Sequence, residues 1–578
     1  AFPKLKRLDL RYSRELIRIP DLYLSPDIEV IFLNCCTRLT EVYSSGFLNK
    51  LKCLDLQLCD ELRSLTIPSN ILSRSSGLIN LRYCEKLETF SIPNRSRGWD
   101  NGTASDSKGI LSRVKGTFDP VLNIDRHEKE YECSLNLSGC ESFTSLSFEF
   151  DLSKFKFLNR LHLNGCSNLD IFPEIEDTME NLAELNLEGT AIRALPSSLC
   201  RLVALQELKL RFCRKLQTIP NSIFKLKLTN LDLSGCSKLR TFPEILEPAQ
   251  TFAHVNLTDT AIKELPSSFG NLVQLQTLCL KRCRDLESLP NSIVNLNLLS
   301  VLNCSGCAKL TRIPRLPPFL KELLAFDCHS ITSVMSNSLI QIPTNSKEGV
   351  IFKFYFTNGQ QLDPGAHANI VDDARRRMTG DAYRSVLFCF PGSEVPHWFP
   401  FRGKGDSITI NTGSLNFYSD DRLIGFALFA VLQLPDTDNG RVNSFTYCLK
   451  YESDDGEHFL PKDDEFDGCM YWKRKFDQDH TLLWKYNLEI PGMSSKSHML
   501  PRARSFTFEI GAFHYYYFKR SSFLSTVKVK ECGICPLYTK EKDDNNAGAG
   551  NYSGSVRFSN NDIEEPSGSD VAWMEEGL

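Results

Sequence analysis

The sequence has no excess of charge of one sign and no long apolar segment. Its 67 lysines and arginines stand against 71 aspartates and glutamates, which gives a net charge of −4 over 578 residues. A nucleic-acid-binding surface needs concentrated positive charge, so nucleic acid is not an expected partner. No apolar run reaches the roughly 20 residues that a membrane-spanning helix requires. The sequence therefore predicts no membrane partner either.

Motifs of nucleotide-binding and catalytic sites are also missing. The chain has no Gly-x-x-x-x-Gly-Lys-(Ser/Thr) loop to hold phosphates, and neither His-Glu-x-x-His nor Gly-x-Ser-x-Gly occurs. The ten histidines are scattered and form no metal-binding pattern. We therefore predict no enzymatic activity, no catalytic residue, no cofactor and no metal in this chain.

What the sequence does have is a leucine motif that recurs through residues 1–335, as in LHLNGCSNLDIFP, LKLRFCRKLQTIP and LDLSGCSKLRTFP. Apart from one longer step, the motif returns every 21 to 26 residues. That period predicts an α/β leucine-rich-repeat solenoid, a horseshoe with a parallel β-sheet on its concave face. The first leucine position of each unit is occupied by Leu8, Ile31, Leu54, Ile79, Leu135, Leu161, Leu185, Leu208, Leu231, Val255, Leu278, Leu302 and Leu323.

The longer step contains a polar segment, residues 95–131, that lacks a clear repeat. It is either an inserted loop or a decayed unit, and we favour the loop. In every repeat the Leu-x-Leu alternation turns both leucines inward and leaves the x residues on the opposite, concave face.

Concave positions of the middle repeats are the candidate protein-binding residues. Arg211 with Phe212 is the sharpest pair, because arginine and aromatic residues are enriched at the energetic centres of protein interfaces. A solvated sheet face without a ligand remains the alternative for any single residue. The predicted set is His162, Asn164, Glu184, Asn186, Glu188, Glu207, Lys209, Arg211, Phe212, Asn230, Asp232, His254, Asn256, Lys281 and Arg282.

Cysteine is abundant, with 21 residues, but its placement is regular. Thr190 and Thr260 replace cysteine at the same position in two shortened units. Regular placement predicts a structural role as reduced, buried thiols, which favours a cytoplasmic or nuclear compartment over a secreted one. We call this position, in the turn after each strand, the corner. The ten cysteines at the corner are Cys36, Cys59, Cys84, Cys140, Cys166, Cys213, Cys236, Cys283, Cys307 and Cys328.

One Cys-x-x-Cys pair, Cys532 with Cys535, lies outside the repeats. Tetrahedral zinc needs four matched ligands, and neither a second cysteine pair nor a spaced histidine pair accompanies this one. A packing role at a strand end is therefore favoured over a metal site.

The composition changes after residue 336. Residues 336–349 are predicted to be a linker, and residues 350–538 contain short aromatic and β-branched runs separated by turns. That pattern predicts an antiparallel, all-β jelly-roll/Ig-like sandwich. Residues 539–578 are polar and acidic and are predicted to be disordered. The charged run at 372–377 is interpreted as one solvated helix face.

The block CFPGSEVPHWFPFRGKGDSITI begins at Cys389, and it is the part of the sequence that most specifically indicates a protein family. Its aromatics either form an exposed recognition loop with His397 or pack into the sandwich. We favour packing, because tryptophan and phenylalanine are costly to leave in water. The motif residues are Cys389, Pro391, Gly392, Glu394, Pro396, Trp398 and Phe399.

Together, the cysteine-containing repeats with LPSS and IPNSI turns and this block resemble the C-terminal half of plant intracellular immune receptors of the TIR, nucleotide-binding and leucine-rich-repeat class. The resemblance implies pathogen-effector recognition, either direct or through a guarded host protein, and autoregulation by contact with an upstream nucleotide-binding module. Nucleotide binding or NAD cleavage would belong to upstream modules that this sequence does not contain.

Two other functions stay open. The chain is alternatively a stand-alone adaptor or scaffold that binds host proteins without a nucleotide switch. An extracellular receptor ectodomain is a third possibility, and it would require oxidised cysteines.

Overall fold

The computed structural model describes residues 2–73, 75–92, 132–144, 152, 155–335, 350–357, 362–379, 383–393, 395–414, 421–433, 444–460, 478–488, 503–513, 528–540 and 556–558. The chain divides into two compact units, Ala1–Leu320 and Lys321–Leu578.

The first unit is a solenoid whose main sheet contains, among the described residues, twelve parallel strands of three residues each. Every strand is centred on a predicted leucine position, so the leucine-rich-repeat prediction is confirmed. The strands are β1 (Arg7–Asp9), β2 (Val30–Phe32), β3 (Cys53–Asp55), β4 (Leu78–Asn80), β5 (Ser134–Asn136), β6 (Arg160–His162), β7 (Glu184–Asn186), β8 (Glu207–Lys209), β9 (Asn230–Asp232), β10 (His254–Asn256), β11 (Thr277–Cys279) and β12 (Val301–Asn303).

Strand register follows the leucine spacing. Leu8 stands opposite Ile31, and Leu185 stands opposite Leu208, so each middle residue stacks on the middle residue of the next repeat. The predicted insertion 95–131 lies outside the described residues, and β4 pairs directly with β5 on either side of it. The parallel sheet is therefore continuous across that segment.

Return segments of the solenoid use short elements instead of long helices. In four repeats from Pro196 onward, a proline precedes a five-residue 3-10 helix, because its fixed φ suits the residue before the first turn. The 3-10 helices are Leu22–Leu24, Ile71–Ser73, Ser197–Arg201, Asn221–Lys225, Ser267–Asn271 and Asn291–Asn295. Short outer strands are Glu41–Tyr43, Ser64–Thr66, Thr89–Ser91 and Arg312–Ile313.

The corner cysteines link neighbouring repeats. The thiol of Cys59 donates to the carbonyl oxygen of Leu33 at 3.2 Å, and that of Cys166 donates to the carbonyl oxygen of Leu137 at 3.1 Å. The same bond joins the thiol of Cys236 to the preceding repeat. Each corner thiol thus occupies a carbonyl lone pair that would otherwise be buried without that partner. None of the twenty described cysteines forms a disulfide.

We expect the corner thiols to resist alkylation in the folded protein. Burial raises the pKa of Cys166 to about 12 and that of Cys283 to about 11, so almost no thiolate forms near neutral pH. Iodoacetamide at about pH 8 should modify half-buried Cys200 and leave these two unmodified until denaturant is added. Mass spectrometry of digested protein measures both, and modification of Cys166 at the rate of Cys200 would contradict the structural role.

The second unit begins with the last leucine strand. Its elements are β13 (Glu322–Leu324), the two-residue strand Ser333–Val334, β14 (Val350–Tyr355), α1 (Pro364–Met378), β15 (Tyr383–Pro391), β16 (Phe401–Lys404), β17 (Ser407–Asn411), the 3-10 helix Thr412–Ser414, β18 (Asp421–Gln433), β19 (Ser444–Ser453), β20 (Gly456–Phe459), β21 (His480–Asn487), β22 (Ser505–Phe513), β23 (Lys528–Lys540) and β24 (Val556–Phe558).

Two sheets face each other in this unit. In one sheet β15, β21, β18, β23 and β16 pair antiparallel in that order. The other sheet contains β17, β22, β19 and β20. Trp484 and Phe426 from the first sheet pack with Phe508 and Tyr447 from the second. The predicted β-sandwich is confirmed.

A parallel β-α-β element at the edge of this sandwich was not predicted. Strands β13, β14 and β15 pair in parallel, and α1 connects β14 to β15. Helix α1 begins where the Asp363 carboxylate accepts from the amide of Ala366, with Pro364 as the first helical residue. The crossover is needed because parallel strands cannot be joined by a tight turn.

The prediction of a solvated face at 372–377 is wrong for three of its residues, Asp373, Ala374 and Arg377. Asp372 and Arg376 form an exposed ion pair, but Asp373 and Arg377 are buried. Helical spacing places the second pair one residue further round, against the sheet. The predicted linker 336–349 lies outside the described residues, as does most of the acidic tail, of which Val556–Phe558 pairs with β23.

Candidate functional site

The candidate binding residues occupy the two positions that flank the buried middle residue of each strand, together with the turn that follows. The burial pattern of β7 is typical, with Leu185 buried between the half-buried Glu184 and Asn186. All fifteen predicted residues are half-buried or exposed. We call the surface that they form the concave face, and their contacts divide it into three groups.

A charged group centres on Glu184. Its Oε1 lies 2.8 Å from the Nζ of Lys209 and 3.4 Å from the Nε2 of His162. The Nζ of Lys209 also lies 3.1 Å from a carboxylate oxygen of Glu207. Burial alone would raise the pKa of Glu184, but the hydrogen bond from Lys209 and the charge of His162 outweigh it and lower that pKa. The group therefore presents charges of both signs on β7 and β8.

The asparagine and aspartate at the ends of the strands hold the turns. Side-chain oxygens of Asn186, Asp232 and Asn256 each accept a hydrogen bond from the backbone amide two residues later, at 3.1, 2.9 and 3.1 Å. Such Asx turns let the chain leave the sheet without an unpaired amide. These three candidates therefore have a structural role that the sequence prediction did not assign.

A left-handed backbone position comes immediately before each corner residue. It includes two predicted residues, Phe212 and Arg282, with φ of 57° and 59°. The sequence prediction missed the other non-glycine members, Tyr12, Cys35, Leu58, Tyr83, Asp259 and Asp327. The signal that could have found them is glycine, which fills the same position as Gly139, Gly165, Gly189, Gly235 and Gly306.

Phe212 and Arg282 use this position differently. The ring of Phe212 is 43% exposed, and a Cβ on Gly235 of the next repeat would come within 2.4 Å of it. The guanidinium of Arg211 lies 5.2 Å from the centroid of the Phe212 ring. Arg282 instead pairs with Asp259 of the preceding repeat, with its Nε 2.6 Å from a carboxylate oxygen.

The C-terminal block packs into the sandwich. Trp398 and Phe399 are buried and stack with ring centroids 4.1 Å apart, and Phe399 meets Phe429 of β18 edge to face. Arg402 donates to the carbonyl oxygens of Phe399 and His397 at 2.8 and 2.9 Å. His397 and Arg402 are exposed to solvent, whereas Trp398 and Phe399 are buried. The arrangement fits the packed interpretation better than a free recognition loop.

The start of the block is anchored to β21. Cys389 and Pro391 are buried in β15, and the hydroxyl of Thr481 donates to the carbonyl oxygen of Gly392 at 2.9 Å. Gly392 has a φ of 144°, and a Cβ there would meet the His367 ring at 3.0 Å. Pro396 is buried, and Glu394 lies outside the described residues.

The Cys532 and Cys535 side chains lie on opposite faces of β23. Cys532 belongs with Ile534 to the core between the sheets, whereas Cys535, three residues on, is buried on the other face. Gly533 between them makes room for the Phe429 ring, which a Cβ would approach to 2.0 Å. Two thiols on opposite faces of a strand cannot bind the same metal ion. No cluster of three or more metal-binding side chains occurs among the described residues.

Two segments of the solenoid that lie 70 residues apart in the sequence make the same hydrogen bonds. The amide of Ile175 donates to the Ser198 hydroxyl at 2.8 Å, and the amide of Ile245 donates to the Ser268 hydroxyl at 2.9 Å. The concave positions differ between the same segments: Glu184 corresponds to His254, and Glu207 corresponds to Thr277. The return segments thus keep these hydrogen bonds, whereas the strand positions of Glu184 and Glu207 carry other residues.

Comparisons with known proteins agree with this architecture. A family model described as "Disease resistance protein RPS4B-like, leucine-rich repeats" matches residues 155–240 and 226–319, and the C-JID domain model matches residues 390–543. Disease resistance protein RPS4B of Arabidopsis thaliana is 32% identical over 80% of this chain. The chain belongs to the plant disease resistance proteins with leucine-rich repeats and a C-JID domain. The resemblance to the C-terminal half of such receptors is confirmed.

Another relative in the family has a lower identity. TMV resistance protein N of Nicotiana glutinosa is 27% identical over 75% of this chain and 35% of its own length. The chain spans only 40% of the RPS4B protein. Among solved structures, the leucine-rich-repeat domain of the type III effector XopL aligns with 55% of this chain and 75% of its own, at 19% identity and a TM-score of 0.22. No described helix is long and apolar enough to cross a membrane.

Proposed function

We propose that this chain is the recognition and autoregulation part of a plant intracellular immune receptor that acts in the cytoplasm, the nucleus or both. It binds a pathogen effector or a guarded host protein through the concave face, with loops of the C-terminal unit contributing. It acts by protein binding and not by catalysis. Contact with an upstream nucleotide-binding module, where one is present, keeps the receptor inactive until a ligand binds.

The comparison of the two segments 70 residues apart carries this proposal. Hydrogen bonds of the return segments, such as those of Ser198 and Ser268, are kept, whereas the strand positions of Glu184 and Glu207 carry other residues in the second segment. A surface fitted to a partner is expected to diverge while its scaffold does not. Family membership and the buried, reduced corner thiols support an intracellular receptor.

Exchanging concave residues for those of the second segment is expected to abolish or redirect recognition. We propose E184H with E207T in the full-length receptor, because histidine and threonine already occupy the equivalent strand positions 254 and 277. Loss of two central contacts should weaken ligand binding about 30-fold or more. The measurement is cell death in leaves that co-express the receptor and candidate effectors.

The matched control exchanges return-segment residues by the same rule. E176L with D177E takes the residues found at 246 and 247 and leaves the concave face unchanged. Equal responses of the two variants to every effector would overturn the proposal. A stand-alone adaptor would bind through the same face, and it differs in lacking a nucleotide-binding module on the same native polypeptide.

A further inference from the structure

Opposite charges usually pair between neighbouring repeats on the surface that follows the corner. The second residue after the corner forms three such pairs: Arg38 with Glu15 at 2.5 Å, Lys86 with Glu61 at 2.6 Å, and Lys309 with Asp285 at 2.7 Å. Stacking puts these residues side by side although they are more than twenty positions apart in sequence. The pattern keeps most of this surface close to neutral.

Repeats eight and nine break that pattern. Lys215 and Lys238 occupy the same position after their corners, both are exposed, and neither forms an ion pair with another described residue. Exposed Arg214 and Arg240 lie beside them in the chain. Like charges on adjacent repeats repel each other, so the solenoid gains no stability from this arrangement. A partner of opposite charge would remove the repulsion.

Phe212 stands at the edge of these charges. It adopts the left-handed conformation that glycine fills in five other repeats, and its ring is exposed above Gly235. Tyr12 and Tyr83 adopt the same conformation in other repeats, so the neighbouring lysines, and not the backbone, distinguish Phe212. Arg211 lies over the ring, and its Nε is also 3.7 Å from a carboxylate oxygen of Asp232, so its charge is partly balanced within the solenoid. An apolar contact and a group of cations are thus held on one surface.

We propose that this basic surface, formed by Phe212 with Arg211, Arg214, Lys215, Lys238 and Arg240, docks an acidic segment of a partner protein. Carboxylates of the segment pair with the lysines and arginines, and one of its apolar side chains covers the Phe212 ring. The inference rests on the proposed role in protein recognition. It adds a second surface beside the concave face and names the chemistry of the partner.

The extent of the basic surface favours a protein segment over a nucleic acid. Glu188 precedes it in repeat seven, and Asp259 and Glu264 follow it in repeat ten. Strands of adjacent repeats are about 5 Å apart, so the unpaired Lys215 and Lys238 span the length of only a few peptide residues. A nucleic-acid backbone requires a longer positive track, and it would meet those acids on both sides.

The test uses the full chain and a fluorescein-labelled polyglutamate peptide with one central tryptophan, with binding followed by fluorescence anisotropy. K215E with K238E should weaken binding at least about tenfold, because two attractive charges become repulsive. K50E with K86E is the matched control: it makes the same change of charge at two lysines that are paired with Asp27 and Glu61. The control should change the affinity by less than about twofold.

F212G separates recognition from folding. Glycine is native to this backbone position, so the variant should keep or raise the melting temperature while it weakens peptide binding about fivefold through loss of the apolar contact. Unchanged binding in F212G would remove Phe212 from the surface. A thermal melt of each variant, followed by circular dichroism, shows that the fold is retained.

Three outcomes would overturn the proposal. Equal weakening by the two double lysine variants would show that binding depends only on the net charge of the chain. Tighter binding of an oligonucleotide of equal charge would make nucleic acid the occupant. Stronger peptide binding by a chain that ends at Lys540 would assign the surface to the chain's own acidic segment 541–578. Because the assay involves no immune response, its failure would leave the concave-face exchange as an independent test of the proposed function.

Discussion

Raising the pH to about 11 is expected to unfold the solenoid through its corner thiols. Burial raises the pKa of Cys283 from 9.0 to about 11 and that of Cys166 to about 12. In the unfolded chain the same thiols lose their protons near pH 9. Between pH 9 and these folded values the unfolded state binds fewer protons, so stability falls as the pH rises.

The expected loss is large compared with the stability of a folded domain. One pKa unit corresponds to about 1.4 kcal/mol, so at pH 11 these two thiols together cost about 5 kcal/mol. Domains are commonly stable by only about 5 to 15 kcal/mol, and further buried corner thiols such as Cys140 add to the loss. Circular dichroism measures the alkaline transition, and thiolate absorbance shows whether ionisation accompanies it.

Threonine supplies the control for this prediction. Thr190 and Thr260 already occupy corner positions, where each hydroxyl donates to a leucine carbonyl oxygen at 2.8 Å. C166T with C283T should therefore fold, and it should move the alkaline midpoint upward because threonine does not ionise. An unchanged midpoint would assign the transition to tyrosine or lysine instead.

R377A is expected to destabilise the second unit by about 3 to 5 kcal/mol, because it leaves Asp373 as an unpaired buried charge. The Arg377 side chain is 1% exposed, and its Nε lies 3.2 Å from the Oδ2 of Asp373. Its guanidinium lies 4.1 Å from the Phe352 ring centroid and 4.9 Å from that of Phe354. The pair thus fastens α1 to β14. Burial already raises the pKa of Asp373 against the charge of Arg377.

Denaturant unfolding followed by the fluorescence of buried Trp398 and Trp484 measures this loss. R376A, one residue away in an exposed pair with Asp372, should cost less than about 1 kcal/mol. D373L with R377M removes both charges and should recover much of the stability, because a well-packed apolar pair avoids the desolvation cost. Equal effects of R376A and R377A would show that burial of the Arg377 pair does not matter.

Periodicity explains why the solenoid could be predicted residue by residue. Leu54, Leu185 and Leu302 are each the buried middle of a strand because a repeated Leu-x-Leu alternation has only one register that buries both leucines. Corner cysteines such as Cys166 follow from the same period. The surface positions of Glu184 and Lys209 on the concave face could be predicted from the sequence for the same reason.

Neighbours across the stack could not be predicted in the same way. Asn186 is a turn residue and Phe212 is left-handed, and neither fact is visible without the backbone. The parallel β14–α1–β15 element was missed because strand runs in sequence do not state the direction in which they pair. Burial of Arg377 was missed because a helix wheel does not show which face meets the sheet.

The sequence by itself determined which residues form each rung, which side chains turn inward and where each corner lies, because these depend on spacing within one repeat. Only the tertiary structure decided which charges meet. Stacking brings Lys215 beside Lys238 but Lys86 beside Glu61. Whether a cation is neutralised or left for a partner depends on a residue one full repeat away. The spacing within one repeat does not show which residue that is.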